Sequence, residues 1–303
     1  MKKFDLISLG EVLVEFTNTN LKDFHFSVSG DVFNTLYYAS RFGLNTGIIT
    51  CFGKDLFTDK IISNLKSENI DYDLTSIIND KNNGIYFIDE DKINIRNFHY
   101  WRNSSAAKQT LTEINFDDIV EYISNSNYFL ITGITLSIIN DKLLLIELLS
   151  KIQGKTIIVF DSNYRKSLWN CNVDYLNVFN QIVKFIDIFL PSDSDLFEIY
   201  NISDLNQILP FLIDYHIDKI IIKEGAKGCC YLDQNKLIHL NKIETEVVDT
   251  TGSGDAFNAG LITGLIRGYT LEPALCLAQM TSVQALIVRG AINQNFHPMN
   301  SNL

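Results

Sequence analysis

The chain has 303 residues, 46% of them hydrophobic and 20% charged, which suits one large α/β domain with an excursion, or two modest domains, and excludes global disorder. A formal net charge of −11 argues against nucleic acid or an anionic membrane as partner, and means that an anionic substrate needs a locally placed Arg or Lys. The five cysteines, Cys51, Cys171, Cys229, Cys230 and Cys276, show no CxxC and no Cys/His ligand spacing, so a reduced, cytoplasmic protein is expected.

Met1-Lys2-Lys3-Phe4-Asp5 leads into an apolar run, Phe4 to Leu9, that predicts the first strand of a parallel sheet, closed by Gly10-Glu11. The run is too short for a signal-peptide core, and nothing approaches the roughly 18 apolar residues of a membrane span. Val12 to Phe16 and Phe24 to Val28 alternate like half-buried strands. Val32 to Phe42 turns helical and stops at Gly43; Ile48 to Phe52 predicts a second buried strand, with a helix following through about Glu68. Residues 84–88 and 93–102 alternate again around Asp89-Glu90-Asp91-Lys92, a hairpin turn. With residues 11–30 they predict a small inserted sheet whose apolar face needs a cover: the active-site cleft, another subunit, or both.

After residue 105, short apolar strands at 127–132, 156–160, 186–190, 219–223 and 229–232 are mostly separated by helical stretches such as 138–151, 174–184 and 204–215. This is the pattern of a parallel sheet covered on both faces. Residues 271–288 read as a pair of helices. The organisation expected is one α/β domain over residues 1–303, with a small β lid from about 11–30 and 84–102.

The stretch from Val247 to Phe257 carries the most chemistry. Thr245 to Val248 reads as a strand, Gly252-Ser253-Gly254 as a tight turn, and Phe257, Leu261 and Leu265 as a helix starting near Gly254. Such a helix start favours an anion. A carboxylate there, Asp255, repels phosphate, but makes sense as the group that takes a proton from a hydroxyl attacking phosphorus. The alternative is an ordinary helix N-terminus whose dipole Asp255 complements.

Asp249-Thr250-Thr251-Gly252-Ser253-Gly254-Asp255 resembles the D-T-x-G-A-G-D signature of the ribokinase-like (PfkB) carbohydrate kinases, with Ser253 where Ala is commoner. The resemblance implies a doubly wound, mostly parallel sheet with helices on both faces plus a small β lid. It implies Asp255 as catalytic base, with the N–H groups of Gly252, Ser253 and Gly254 around the transferring phosphate. Ser29-Gly30-Asp31-Val32-Phe33-Asn34 is similar to the family's G-G-x-x-x-N, which implies sugar contacts from Gly30 and Asn34; by themselves these are a loop glycine and an Asn near a helix start. Asp161-Ser162-Asn163-Tyr164-Arg165, at a strand's carboxyl end, resembles D-x-N-x-R. That places Asn163 and Arg165 near nucleotide phosphates, with Arg165 also balancing an acidic sugar; the alternative is a capped turn with an exposed Arg. Lys223-Glu224-Gly225-Ala226-Lys227-Gly228 resembles the nucleotide loop K-x-G-x-x-G, implying contacts from Lys223, Gly225 and Gly228, or else is a simple β-turn. Pro191-Ser192-Asp193-Ser194-Asp195 falls where the family carries N-x-x-E, linked to Mg²⁺ and phosphate. Ser192 and Asp195 stand there instead, leaving Asp195 or Glu198 as water-mediated candidates for the ion.

Tyr100-Trp101-Arg102 offers an aromatic wall and a planar, always-charged fork suited to a carboxylate; a strand-end Arg paired with an acid is the alternative. Within the family this segment resembles the 2-keto-3-deoxygluconate kinases, implying Tyr86, Tyr100 and Arg102 as contacts to the sugar acid. Where those kinases have an Asp after a glycine aligned with Gly290, this chain has Ala291. The five histidines form no metal or triad constellation in the sequence. The expected function is ATP- and Mg²⁺-dependent phosphorylation of the terminal hydroxyl of 2-keto-3-deoxygluconate, with a monovalent cation left open and a homo-oligomer formed through the lid sheet. The rivals are a fructokinase or ribokinase acting on a neutral sugar, and a sugar-binding sensor without catalysis.

Overall fold

The computed structural model describes residues 2–20, 23–90, 96–169 and 171–298. In chain order the elements are β1 (Phe4–Leu9), β2 (Leu13–Asn20), β3 (Asp23–Ser29), α1 (Asp31–Arg41), β4 (Thr46–Gly53), α2 (Thr58–Ser67), β5 (Ile70–Asp71), β6 (Thr75–Ile78), β7 (Gly84–Glu90) and β8 (Arg96–Trp101). Then come α3 (Thr110–Glu113), α4 (Phe116–Ser124), β9 (Ser126–Thr132), α5 (Gly133–Ile138), α6 (Lys142–Ile152), β10 (Ile157–Asp161), α7 (Asn172–Ile182), β11 (Ile188–Phe189) and α8 (Asp193–Tyr200). Last are α9 (Leu205–Asp214), β12 (Lys219–Lys223), β13 (Gly228–Asp233), β14 (Lys236–Asn241), α10 (Ser253–Ile266) and α11 (Leu271–Leu286).

Ten strands form one sheet in the order β14-β13-β12-β11-β10-β9-β1-β4-β5, with β6 also on β4. From β12 to β5 the pairings are parallel; β13 and β14 close one edge antiparallel. Alternation along the strands divides the core. Leu6, Ile48, Leu130, Val159 and Ile221 face α1, α10 and α11, while Ile7, Ile49, Phe129, Ile158 and Ile222 face α4, α6, α7, α8 and α9. The fold is therefore a doubly wound α/β sheet, as expected.

The second sheet runs β3-β2-β7-β8, with β2 and β7 parallel and the other pairs antiparallel. Its register lines up Ser27, Glu15, Tyr86 and Tyr100 as successive cross-strand neighbours, and in the adjacent row Phe26, Phe16, Phe87 and His99. The turn expected at Asp91-Lys92, with residues 93–95, lies outside the described residues.

Three expectations need correction. Residues 271–286 form one continuous helix, because Pro273 sits in its first turn, where no helical N–H bond is required. Thr245 to Val248 is not a strand: the Val248 and Asp249 amides donate to Leu286 O at the end of α11, and Val247 and Val248 stay exposed. The strand expected over 186–190 keeps only two ladder residues. β14, absent from the expected strands, supplies the sheet edge.

Candidate active site

The carboxyl ends of β10 and β12, the N-termini of α1, α8 and α10, and one face of the small sheet enclose a cavity of about 600 Å³. Lining it are Gly30, Asn34, Tyr86, Tyr100, Arg102, Asn163, Arg165, Ser192, Asp195, Lys223, Gly225, Gly252, Ser253, Gly254 and Asp255. Two expected site residues stay out of the lining. Glu198 lies exposed on the outer side of α8, so of the two metal candidates only Asp195 reaches the cavity. Gly228 begins β13 at φ 109°, where a Cβ would lie 2.2 Å from Leu240 O; it serves the strand crossing.

The turn before α10 is built for close approach. Gly252 caps the helix at φ 72°, and a Cβ there would strike Ala291 O at 2.5 Å. At Gly254 a Cβ would meet nothing closer than Lys223 Nζ, at 3.6 Å, so packing does not demand a glycine and the space opens to the cavity. Asp255, one residue further, accepts a hydrogen bond from Asn34 Nδ2 at 2.8 Å. Loss of solvent in the depth of the cavity, reinforced by the charge of Asp31, pushes its carboxyl up to about 8.

The sequence reading does not single out Asp31 or Asp161 as site residues, yet both line the cavity. Asp31 accepts from Thr132 Oγ1 at 2.5 Å and Asn163 Nδ2 at 3.1 Å, and burial raises its pKa. Asp161 accepts from Lys223 Nζ and from Asn258 Nδ2, both at 2.6 Å, which ties β10, β12 and α10 together. Asp195, at the start of α8, accepts from Ser162 Oγ at 2.6 Å and is also raised by burial. Asp31 and Asn34 stand three apart at a helix start, a spacing that puts both on one face and was open to sequence reading.

The small sheet supplies the opposite wall. Tyr86 stacks on Tyr100 with ring centroids 5.5 Å apart, and its hydroxyl donates to Glu15 and lies 2.9 Å from Ser29 Oγ, within hydrogen-bond distance. Tyr86 thus presents its ring while its hydroxyl is engaged within the sheet. Arg102 has a partner the sequence does not announce: its guanidinium contacts the carboxylate of Glu11, and both side chains are nearly sealed from solvent. The contact lacks hydrogen-bond directionality, leaving Nε and one Nη of Arg102 without acceptors. Arg165 donates Nη1 to Tyr164 O at 3.0 Å and pairs with no carboxylate among the described residues. Arg102 and Arg165 both bear electrostatically on Tyr100.

A family model for pfkB family carbohydrate kinases matches residues 3–297. The chain belongs to the pfkB family. This pfkB kinase is 30% identical over 305 residues to the 2-dehydro-3-deoxygluconokinase of Haemophilus influenzae, covering 96% of each chain. Its fold is similar to the crystal structure of the Thermotoga maritima 2-dehydro-3-deoxygluconokinase, at TM-score 0.83, 19% identity and 96% coverage of each chain. It is similar too to a putative ribokinase II of Escherichia coli in complex with ATP and Mg²⁺, at TM-score 0.81 and 22% identity, covering 95% of this chain and 94% of that one. Among the described residues no helix is long and apolar enough to cross a membrane.

Proposed function

We propose that this pfkB kinase transfers the γ-phosphoryl group of ATP to the terminal hydroxyl of a sugar acid, 2-keto-3-deoxygluconate (2-dehydro-3-deoxygluconate). The observation that carries the acid-sugar reading is the Arg165 guanidinium, which lines the cavity wall beside Tyr100 and pairs with no carboxylate among the described residues. In a cavity otherwise rich in aspartates, that wall is where a substrate carboxylate fits; a neutral sugar has no need of it. The names of relatives over the full chain support the same substrate.

In this reading the sugar hydroxyl oxygen attacks the γ-phosphorus as the bond to the ADP oxygen breaks. Asp255 takes the hydroxyl proton, and Asn34 holds its carboxylate toward the acceptor. The Ser253 N–H, expected among the donors to the phosphate, is instead engaged by Thr250 O at 3.3 Å, so the N–H groups of Gly252 and Gly254 would meet the transferring phosphate, and Lys223 beside Gly254 adds positive charge there. The carboxylates of Asp31, Asp161, Asp195 and Asp255 leave the cavity short of positive charge, which fits a Mg²⁺ arriving with the nucleotide and supplying charge neutralisation. Asp195, with an oxygen not taken by Ser162, would hold it through water. The small sheet acts as a lid that keeps water from competing as acceptor. Its exposed Phe24 and Trp101 cover the lid of a second copy, making a homodimer.

One observation favours a neutral substrate instead: Glu11 already balances Arg102. The test is a coupled ADP-release assay comparing kcat/KM for 2-keto-3-deoxygluconate, fructose and ribose. Preference for the sugar acid is expected; preference for fructose or ribose overturns the substrate, and no turnover on any sugar overturns the chemistry.

A further inference from the structure

A second cluster of chemically capable side chains lies outside the cavity, at the antiparallel edge of the large sheet. Cys230 on β13 stands directly opposite His239 on β14 and, on its other side, opposite Ile222 on β12. Glu224 follows Ile222 by two residues. Direct cross-strand pairing brings Cβ atoms to about 4.5–5.5 Å, close enough for side chains to share a ligand. The thiol, carboxylate and imidazole ligand atoms all lie within 4.8 Å of one another, and His239 Nδ1 is 2.9 Å from Glu224 Oε2. A tetrahedral ion with bonds of about 2.0–2.3 Å needs its ligand atoms roughly 3.3–3.8 Å apart, which small side-chain adjustments reach from a 2.9 Å His239–Glu224 separation and a 4.8 Å limit for the set.

The geometry points to a binding site for a thiophilic divalent cation of the Zn²⁺ class, held by Cys230, His239 and Glu224, with a fourth position open to water. Sulfur and imidazole donors select such an ion over Mg²⁺, which prefers an octahedron of oxygens. Burial supports a built site with an entrance: Cys230 and Glu224 are sealed, while the His239 side chain is 57% exposed. As the metal–sulfur bond forms, the Cys230 proton leaves to solvent. His239 coordinates through Nδ1 as the neutral tautomer that keeps its proton on Nε2, where the N–H donates a hydrogen bond to water, and the ion replaces the present Nδ1–carboxylate hydrogen bond. None of the three residues lines the catalytic cavity, so this ion is separate from any that accompanies the nucleotide. Glu224 nevertheless lies between Lys223 and Gly225, both of which do line it.

The test uses the full chain carrying Cys171→Ser and Cys276→Ser, which removes the two exposed thiols. After chelation and dialysis it is titrated with Co²⁺ and read by absorption. One Co²⁺ per chain is expected, with a thiolate-to-cobalt charge-transfer band that Zn²⁺ abolishes and millimolar Mg²⁺ does not. Cys230→Ser should remove the band. Because Cys230 is buried and that variant can misfold, the exposed His239→Ala provides the second test: Co²⁺ affinity should fall by about tenfold or more. Absence of the band, or an affinity that His239→Ala leaves unchanged, overturns the site.

Discussion

The floor of the cavity and its lid face each other but are built differently. At the carboxyl edge of the large sheet, Asp31, Asp161 and Asp195 are 8%, 2% and 8% exposed, and each is fixed by hydrogen bonds from a neighbouring element. On the small sheet, Phe98, Tyr100 and Trp101 are 42%, 47% and 61% exposed and are held mainly by ring contacts. Crowded carboxylates need rigid donors to hold them, and they give the floor its reactivity. The aromatic sheet is half-covered and makes fewer polar ties to its neighbours. Variants of the floor carboxylates should therefore change rate, variants of the lid's outer aromatics should change assembly, and substrate choice should rest on Arg165, which follows β10 at the cavity edge.

The sharpest break of that contrast is Asp255→Asn. It should lower kcat by on the order of 10²–10⁴ while sugar and ATP still bind, as measured by steady-state kinetics and calorimetric titration. Turnover within threefold of wild type would remove Asp255 from the chemistry.

The two arginines come next, and they should part ways. Arg102→Ala strands the Glu11 carboxylate in a sealed position, which costs about 3–5 kcal/mol of stability and lowers kcat/KM for acid and neutral sugars alike. Arg165→Ala breaks no ion pair among the described residues. It should lower kcat/KM for 2-keto-3-deoxygluconate roughly ten- to a hundredfold, the worth of a charge-assisted hydrogen bond of about 1.5–3 kcal/mol, and spare fructose. Equal losses on both sugars in Arg165→Ala would mean that this residue does not read a carboxylate.

The floor also predicts a pH signature. With the Asp255 carboxyl raised to about 8, its base form is scarce at low pH, so kcat/KM of the free enzyme should climb about tenfold per unit and level above pH 8. The stability sign is opposite. A carboxyl raised above its unfolded value favours the fold at low pH, and that contribution is lost progressively as pH rises from about 4 through about 8. Asp255→Asn escapes this loss, so its melting temperature should gain on wild type between pH 5 and pH 9; a constant difference would contradict the assignment.

The smallest catalytic effect belongs to the outer lid. Trp101→Lys should convert a dimer seen by equilibrium sedimentation at micromolar concentration into a monomer, with kcat changed less than threefold. A wild-type protein that is strictly monomeric would refute pairing through the lid.

Local sequence carried much of this molecule. The turn at Gly252–Asp255 is legible because a positive φ, a helix start and a carboxylate are fixed by adjacent residues. The lid strands are legible from alternation, and the parallel strands from their unbroken apolar runs. Where a conformation depended on a distant partner, local reading failed: Val247 and Val248 look like a strand, but their segment hydrogen-bonds to the end of α11 instead.

What only the tertiary structure decided is which charges meet. Glu11 and Arg102 belong to motifs far apart in the chain, and no local spacing announces that the guanidinium read as a free fork is already paired. The same holds for Cys230, His239 and Glu224, which have no ligand spacing in the chain and converge only because β12, β13 and β14 pair in this register. Backbone conformation is set largely by neighbours in sequence, so the sequence by itself determined most of the elements and the glycine turn before α10. Side-chain electrostatics is set by neighbours in space, so the fold alone decided which arginine is free to meet a substrate.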